Sequence, residues 1–444
     1  MLISIVGMTL AGLAWAAALA QSGFQVLMTD MDEEMVHAVK EGELPGYEKG
    51  LVEALAQAES TGNLELTDNV RRVMKMSDVM FITCAVPEDE EGRPSARFAK
   101  AIAENMANHT EKAKTVVVKS VVPPGTAKML EESVQTVLDN REEDYPIEIV
   151  ISPDMARPGE RMKTTCRPDV VVIGSKDSKA GATVKAIYQQ IGIADNRIKL
   201  VTPCEAEMSA LVLSGMLAIK KAVVNEMGRV CQSEGANIDA VLSVVAKDSR
   251  IGSRWTTPDP GFGGSELPKD LRTIKVLAED HKVSVPIIDS AEESNTAHLA
   301  YCLEAIGRAF GSIEGKTLAV LGITSASGAD ELREAPALTL IERLAEKGAF
   351  LKIYSPEGFA QARWRFFKVK DQVDFSKTML EAVEGVEGLV VMSRIPTLRA
   401  SSIQRLKEKM KDTVMVDLVG QFANRQDIIE SFKYYRMSIQ KEVD

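Results

Sequence analysis

The stretch "DPGFGGSELPKDLRTIK", residues 259–275, gathers Glu266, Lys269 and Asp270 around Pro268. A carboxylate can orient a hydroxyl or take its proton, and an ammonium group can offset negative charge beside it. Just upstream, Gly261, Gly263 and Gly264 surround Phe262. Glycines in that pattern let the backbone turn sharply and let another group approach it closely. The loop is read as facing a ligand, with Glu266 as the residue it holds up.

Such a loop needs a substantial scaffold. The chain has 444 residues, too many for one core and suited to two or three domains. Hydrophobic residues make up 45% and charged residues 26%, which is ordinary for a soluble globular enzyme. A net charge of −11 argues against nucleic acid or an anionic membrane as partner. An anionic substrate must then be met by a local arginine or lysine. Cys84, Cys166, Cys204, Cys231 and Cys302 are scattered, with no CxxC pair. That spacing points to a reducing, cytoplasmic setting without structural disulfides or a bound metal.

The opening "MLISIVGMTLAGLAWAAALA" is almost wholly apolar but lacks a basic leader. Its β-branched start, broken by glycine, reads as a strand over Leu2–Val6, a turn at Gly7 and a helix to about Ser22, with "FQVLMTD" as the next strand. Further strands are expected at Val79–Thr83, Thr115–Lys119, Ile147–Ile151 and Asp169–Ile173. A long buried helix is expected from about Glu205 to Glu234, the kind that builds a domain or dimer core. A second alternating pattern begins at "EGKTLAVLGI", with strands at Phe350–Tyr354, Leu389–Met392 and Val414–Val416. The expected class is α/β, with two Rossmann-like doubly wound domains (1–200 and 312–444) joined by a central long-helix domain (201–311). The central helix carries enough apolar surface to predict a homodimer.

The turn Gly7-Met8-Thr9-Leu10-Ala11-Gly12 lies after the first strand and opens a helix, where backbone can approach a pyrophosphate. Thr9 replaces the middle glycine of a dinucleotide fingerprint. Asp30, ending the second strand, stands where an acid takes the adenosine ribose hydroxyls, which implies NAD over NADP. Its alternative role is to cap the next helix.

Taken together, the motifs resemble the UDP-glucose/GDP-mannose 6-dehydrogenase family over essentially the whole chain. In family order come "EKGL" at 48–51, "AVP" at 85–87, "KSVVPPGT" at 119–126, "SPDMARPG" at 152–159, "AEMSALVLSGMLAIKKAVVNE" at 206–226, "DSRIG" at 248–252, the glycine loop and "ELREAP" at 331–336. The resemblance implies an NAD-binding domain, a dimerisation domain and a C-terminal domain for the nucleotide half of a nucleotide sugar. It places Gly7, Thr9, Leu10, Gly12, Asp30, Ala85, Pro87, Ser120 and Lys269 at the cofactor. Arg250, Gly263 and Arg333 are placed at the substrate, Arg250 often across a dimer.

The family oxidises a sugar C6 alcohol to the acid in two NAD-dependent steps, through a cysteine in G-F-G-G-S-C-F-P-K-D. Aligned residue by residue, that cysteine falls on Glu266, the family's helix lysine on Ala210, a nearby asparagine on Ser214, the threonine of S-T-V-P on Val121 and the glutamate of P-E-F-L on Asp154. F-K falls on Ser325-Ala326, and the arginine of D-G-R-N on Val419. A carboxylate cannot form a thiohemiacetal. Three readings follow: a two-electron alcohol/carbonyl oxidoreductase with Glu266 or Asp270 as acid–base group, a non-catalytic NAD- or partner-binding homologue, and a 6-dehydrogenase that works without a covalent intermediate. Lys269 and Asp270 have the alternative role of capping the helix that starts near Pro268, and Arg250 that of a surface ion pair.

Overall fold

The structure, a computed structural model, describes residues 1–89, 92–398, 400–436 and 439–440. It divides into two compact units, Met1–Leu213 and Ser214–Asp444. The first is built on β1 (Leu2–Val6), β2 (Gln25–Thr29), β3 (Leu64–Leu66), β4 (Val79–Ile82), β5 (Lys114–Val118), β6 (Ile147–Ile151), β7 (Val171–Ser175) and β8 (Ile198–Val201), in the order β3-β2-β1-β4-β5-β6-β7-β8. The central strands are continuous apolar runs because helices cover both faces of the sheet. Ile3, Ile5, Val6, Phe81, Val117 and Val150 are wholly buried.

The sequence reading leaves out β3 and β8. β3 has three residues and β8 exposes Lys199 and Leu200, so neither edge strand shows an apolar run. The sheet is also not uniformly parallel, since β7 runs antiparallel to β6. The helix Leu10–Gln21 is buried along nearly its whole length between β1 and β2, which is why its sequence mimics a leader or a membrane segment. No helix among the described residues is long and apolar enough to cross a membrane.

The second unit carries β9 (Thr317–Leu321), β10 (Phe350–Tyr354), β11 (Val373–Phe375), β12 (Gly388–Val391), β13 (Val414–Asp417), β14 (Lys433–Arg436) and β15 (Ile439–Gln440), ordered β11-β10-β9-β12-β13-β14-β15. The first six strands repeat the order seen at β3-β2-β1-β4-β5-β6, so the echo between the two halves is topological. In both sheets the order reverses between the first and fourth strands, which opens the crevice that ligands use in doubly wound folds.

The long helix runs Pro203–Ser233 and starts at a proline, tolerated in a first turn because its missing N–H has no partner to lose. The second unit also holds the helices Ile238–Val245, Leu267–Asp280 and Pro286–Phe310. Arg436 ties this unit together: its guanidinium donates to the carbonyls of Leu418 (2.7 Å) and Pro258 (3.1 Å) and pairs with Asp239 (3.2 Å).

Candidate functional site

In the first unit Gly7, Thr9, Gly12 and Asp30, four of the expected cofactor residues, lie together at the β1 turn. Gly7 has φ +117°, and a β-carbon there would fall 2.8 Å from the carbonyl carbon of Thr83. A β-carbon on Gly12 would fall 2.2 Å from the Gly7 carbonyl oxygen, so both glycines are required by close packing. Thr9 caps the helix that begins at Leu10: its hydroxyl accepts from Gly12 N–H (3.1 Å) and donates to the Thr83 carbonyl (2.9 Å). The hydroxyl is turned into the fold, which shows how a threonine is accommodated where the fingerprint has glycine.

Asp30 accepts from the backbone N–H of Met8 (2.6 Å) with one oxygen and from Asp32 N–H (3.1 Å) with the other. The acid therefore sits at the mouth of the glycine turn and also braces the start of the next helix. The residues fit a dinucleotide: a glycine turn, a helix N-terminus and an acid gathered at the β1–β4 switch point. Ser120 donates to the Cys84 carbonyl (2.5 Å), beside Ala85, and the Pro87 carbonyl accepts from Ser95 N–H (2.8 Å). Burial pushes the Cys84 thiol up to about 11, which leaves it protonated near neutrality.

Several motifs of this unit hold its loops in place. Glu48 of "EKGL" accepts from the N–H groups of Gly159 and Arg161, each at 2.9 Å, and so clamps the "DMARPG" loop. Glu207 of the long helix accepts from Gly125 and Ala127 N–H, each at 2.8 Å, at the start of the helix that follows "PPGT". Asp154 takes a bond from Trp15 Nε1 (3.2 Å) and pairs with Arg161, so both carboxylate oxygens are engaged. Lys119 lies buried with its ammonium 4.1 Å from the Trp15 ring centroid and 3.3 Å from the Tyr188 hydroxyl. Burial pulls its pKa down to about 8, partly countered by the charge of Asp154.

In the second unit the glycine loop is nailed down from several sides. The Asp259 carboxylate pairs with Lys221 (2.6 Å) and accepts from Gly261 N–H (3.0 Å), while its backbone meets Asn225 and His298. Asn295 clasps Phe262 reciprocally, accepting from its N–H and donating to its carbonyl, both at 2.9 Å. Gly263 lies so close to Glu334 that a β-carbon would be 2.2 Å from the Glu334 carbonyl oxygen, and Gly264 N–H donates to the Arg333 carbonyl (2.9 Å). The loop and the "ELREAP" segment are thus one packed structure.

Glu266 is half-buried at the N-cap position of Leu267–Asp280, and its side chain does not cap that helix. One turn on, Asp270 is 1% exposed; it accepts from the Ser214 hydroxyl (2.6 Å) and pairs with Lys269 (2.7 Å). Lys269 and Asp270 therefore bind one another and the long helix. Arg333 is exposed beside the loop. Arg250 does not join this group: its guanidinium points to solvent and forms a two-point pair with Asp248. Cys302 is wholly buried against His298 (3.5 Å), and burial pushes its thiol far up. Burial also draws His298 down to about 4, so its imidazole is neutral near pH 7.

Sequence reasoning missed Lys221, Asn225, Asn295 and His298. Each is a polar residue inside a helical run, and periodicity does not separate Lys221, which grips the loop, from Lys220, which donates to the Ile251 carbonyl at the surface.

Beyond this geometry, the chain matches three family models in sequence: the UDP-glucose/GDP-mannose dehydrogenase family NAD binding domain over residues 1–192, its central domain over 204–297 and its UDP binding domain over 319–424. It is 30% identical over 420 residues to a UDP-glucose 6-dehydrogenase of Pseudomonas aeruginosa, covering 94% of this chain and 93% of that one. It is 29% identical over 438 residues to a UDP-glucose 6-dehydrogenase of Rhizobium meliloti, covering 98% of each. The fold superposes on a UDP-glucose dehydrogenase from Pyrobaculum islandicum with a TM-score of 0.85 at 25% identity, over 98% of this chain and 97% of that one. Glycine turn, long helix and glycine loop thus stand in the order and the folds that these comparisons share, and the chain belongs to the UDP-glucose/GDP-mannose dehydrogenase family, with that family's NAD-binding domain.

Proposed function

We propose that this protein is an NAD-dependent oxidoreductase that carries out a single two-electron alcohol/carbonyl hydride transfer on a nucleotide sugar or a related polar substrate, without a thioester intermediate. The observation that carries this reading is the carboxylate arrangement behind the glycine loop. Glu266, half-buried one turn before Asp270, occupies the position that the resemblance gives to a cysteine. Ala210 and Ser214 in place of a lysine and an asparagine remove donors that a covalent oxyanion would need, each such donor being worth about 10²–10³ in rate.

NAD, when bound, supplies a nicotinamide that accepts a hydride from the alcohol carbon or, as NADH, returns one to a carbonyl. Gly7, Thr9, Leu10 and Gly12 bring backbone to the pyrophosphate, Asp30 takes the ribose hydroxyls, and Ala85, Pro87, Ser120 and Lys269 complete the cofactor contacts. Glu266 holds the substrate hydroxyl and takes its proton, with Asp270 as the fixed charge behind it. Gly263 allows close approach, while Arg333 and Arg250 contact the substrate, Arg250 from a second copy in a homodimer. The domains are NAD-binding (1–200), dimerising (201–311) and nucleotide-binding (312–444).

One observation favours a non-catalytic homologue instead: Asp270 is satisfied inside the fold by Ser214 and Lys269. The deciding experiment follows NADH formation with nucleotide sugars and identifies the product by mass spectrometry. An aldehyde-level product supports the proposal. A sugar acid assigns the full four-electron reaction, and NAD binding without turnover on any alcohol or aldehyde assigns the binding role.

A further inference from the structure

The second unit contains a cleft of about 160 Å³ at the C-terminal ends of β9 and β12, the switch point of that sheet. Its walls are rich in hydroxyls, from Thr324, Ser325, Ser327 and Ser393, and Arg394 stands at its edge. The acid lining it, Asp259, is neutralised by Lys221 at 2.6 Å. Arg394 therefore sets the sign of the cleft, an anion-accepting patch on a chain of net charge −11.

Arg394 is exposed yet oriented. Its Nη2 donates to the Val419 carbonyl at 3.2 Å. That carbonyl belongs to a rigid turn, because the Asp417 carboxylate accepts from Val419 N–H (3.2 Å), Gln421 N–H (3.0 Å) and Phe422 N–H (2.9 Å). Arg436 grips the same turn through the Leu418 carbonyl. Gly322 lets the chain pack closely on Ser393, the neighbour of Arg394, since a β-carbon there would fall 2.2 Å from Ser393 Oγ. One guanidinium donor is spent on orientation, and the group has five donors in a planar fork that matches phosphate oxygens.

We propose that Arg394 is the residue that reads the phosphates of a nucleoside diphosphate in this cleft, in place of an arginine at position 419. This rests on the nucleotide-sugar reading above, and it assigns the anion contact to a residue outside the motifs that the resemblance carries over. The hydroxyl walls then serve the sugar and base, whose recognition needs no charge.

Calorimetric titration of the full-length protein with UDP and with uridine tests the assignment, using Arg394→Gln and Arg394→Lys, with circular dichroism to confirm that each variant is folded. Loss of a charge-assisted phosphate contact weakens UDP binding by about 10- to 100-fold in Arg394→Gln. Arg394→Lys retains part of the affinity, and uridine binding stays unchanged in both. Equal UDP affinity in wild type and Arg394→Gln overturns the role of Arg394. An equal loss for uridine and UDP overturns its role as a phosphate contact. A wild-type protein that binds neither UDP nor uridine overturns the nucleotide-sugar reading itself.

Discussion

The Ser214 hydroxyl donates to the Asp270 carboxylate at 2.6 Å, joining the long helix to the first turn behind the glycine loop. Both groups are buried, Ser214 at 9% and Asp270 at 1% exposure, so the bond is a charge-assisted contact shielded from water. Ser214→Ala leaves Asp270 with Lys269 as its named partner and is expected to cost about 1.5–3 kcal/mol, the worth of a hydrogen bond to a charged group. Urea denaturation of wild type and variant measures this. An unchanged midpoint shows that Asp270 finds a substitute partner.

Glu266→Gln keeps shape and hydrogen bonding but removes the titration. It is expected to lower turnover by about 10²–10⁴, the usual worth of a general acid–base group. Glu266→Cys is expected to form no sugar acid, because Ala210 and Ser214 still leave an oxyanion without its donors. Steady-state rates and product mass spectra check both, and a wild-type rate in Glu266→Gln would remove the residue from the mechanism.

Asp30 at the mouth of the glycine turn is expected to select NAD over NADP, since a 2′-phosphate would meet its carboxylate. Asp30→Ala is expected to weaken NAD by about 10- to 100-fold and to narrow the preference. Calorimetry with both nucleotides decides it, and tighter wild-type binding of NADP would contradict the assignment.

Met216, Val223 and Val230 recur at heptad spacing along the helix Pro203–Ser233 and are 66%, 50% and 52% exposed. Such a stripe is expected to be covered by a second copy. Light scattering should give a dimer for wild type and a monomer for Val223→Glu. A wild-type monomer at micromolar concentration would reject the interface.

Lys119 supplies a pH test. Its folded pKa is depressed to about 8 from 10.5 by burial, so between those values the unfolded chain binds more protons than the folded one. Stability therefore gains a rising contribution from pH 8 to 10.5, and burial of the charge opposes folding in full below that window. Lys114, drawn down to about 7 by burial, adds the same trend from lower pH. Lys119→Met should flatten part of this rise in thermal melts, and an unaltered slope would show that Lys119 keeps its ordinary proton affinity in the fold.

The order of elements was legible in the sequence because apolar period and glycine position act locally. The strand–turn–helix at Gly7, the long apolar helix that follows Pro203 and the strand at "EGKTLAVLGI" are each marked by the pattern of their own segment. The edge strands Leu64–Leu66 and Ile198–Val201 did not, since short edges need no apolar run. Side-chain partnerships between distant segments were set only by the tertiary structure. Thr9 meets Thr83, Ser214 meets Asp270 and Arg394 meets Val419 through helix rotation and strand register, which composition and spacing do not encode. The same holds for charge. Lys119, Lys221 and Arg394 read alike in a sequence, and their surroundings make one a depressed buried base, one a loop clamp and one the cation of a cleft.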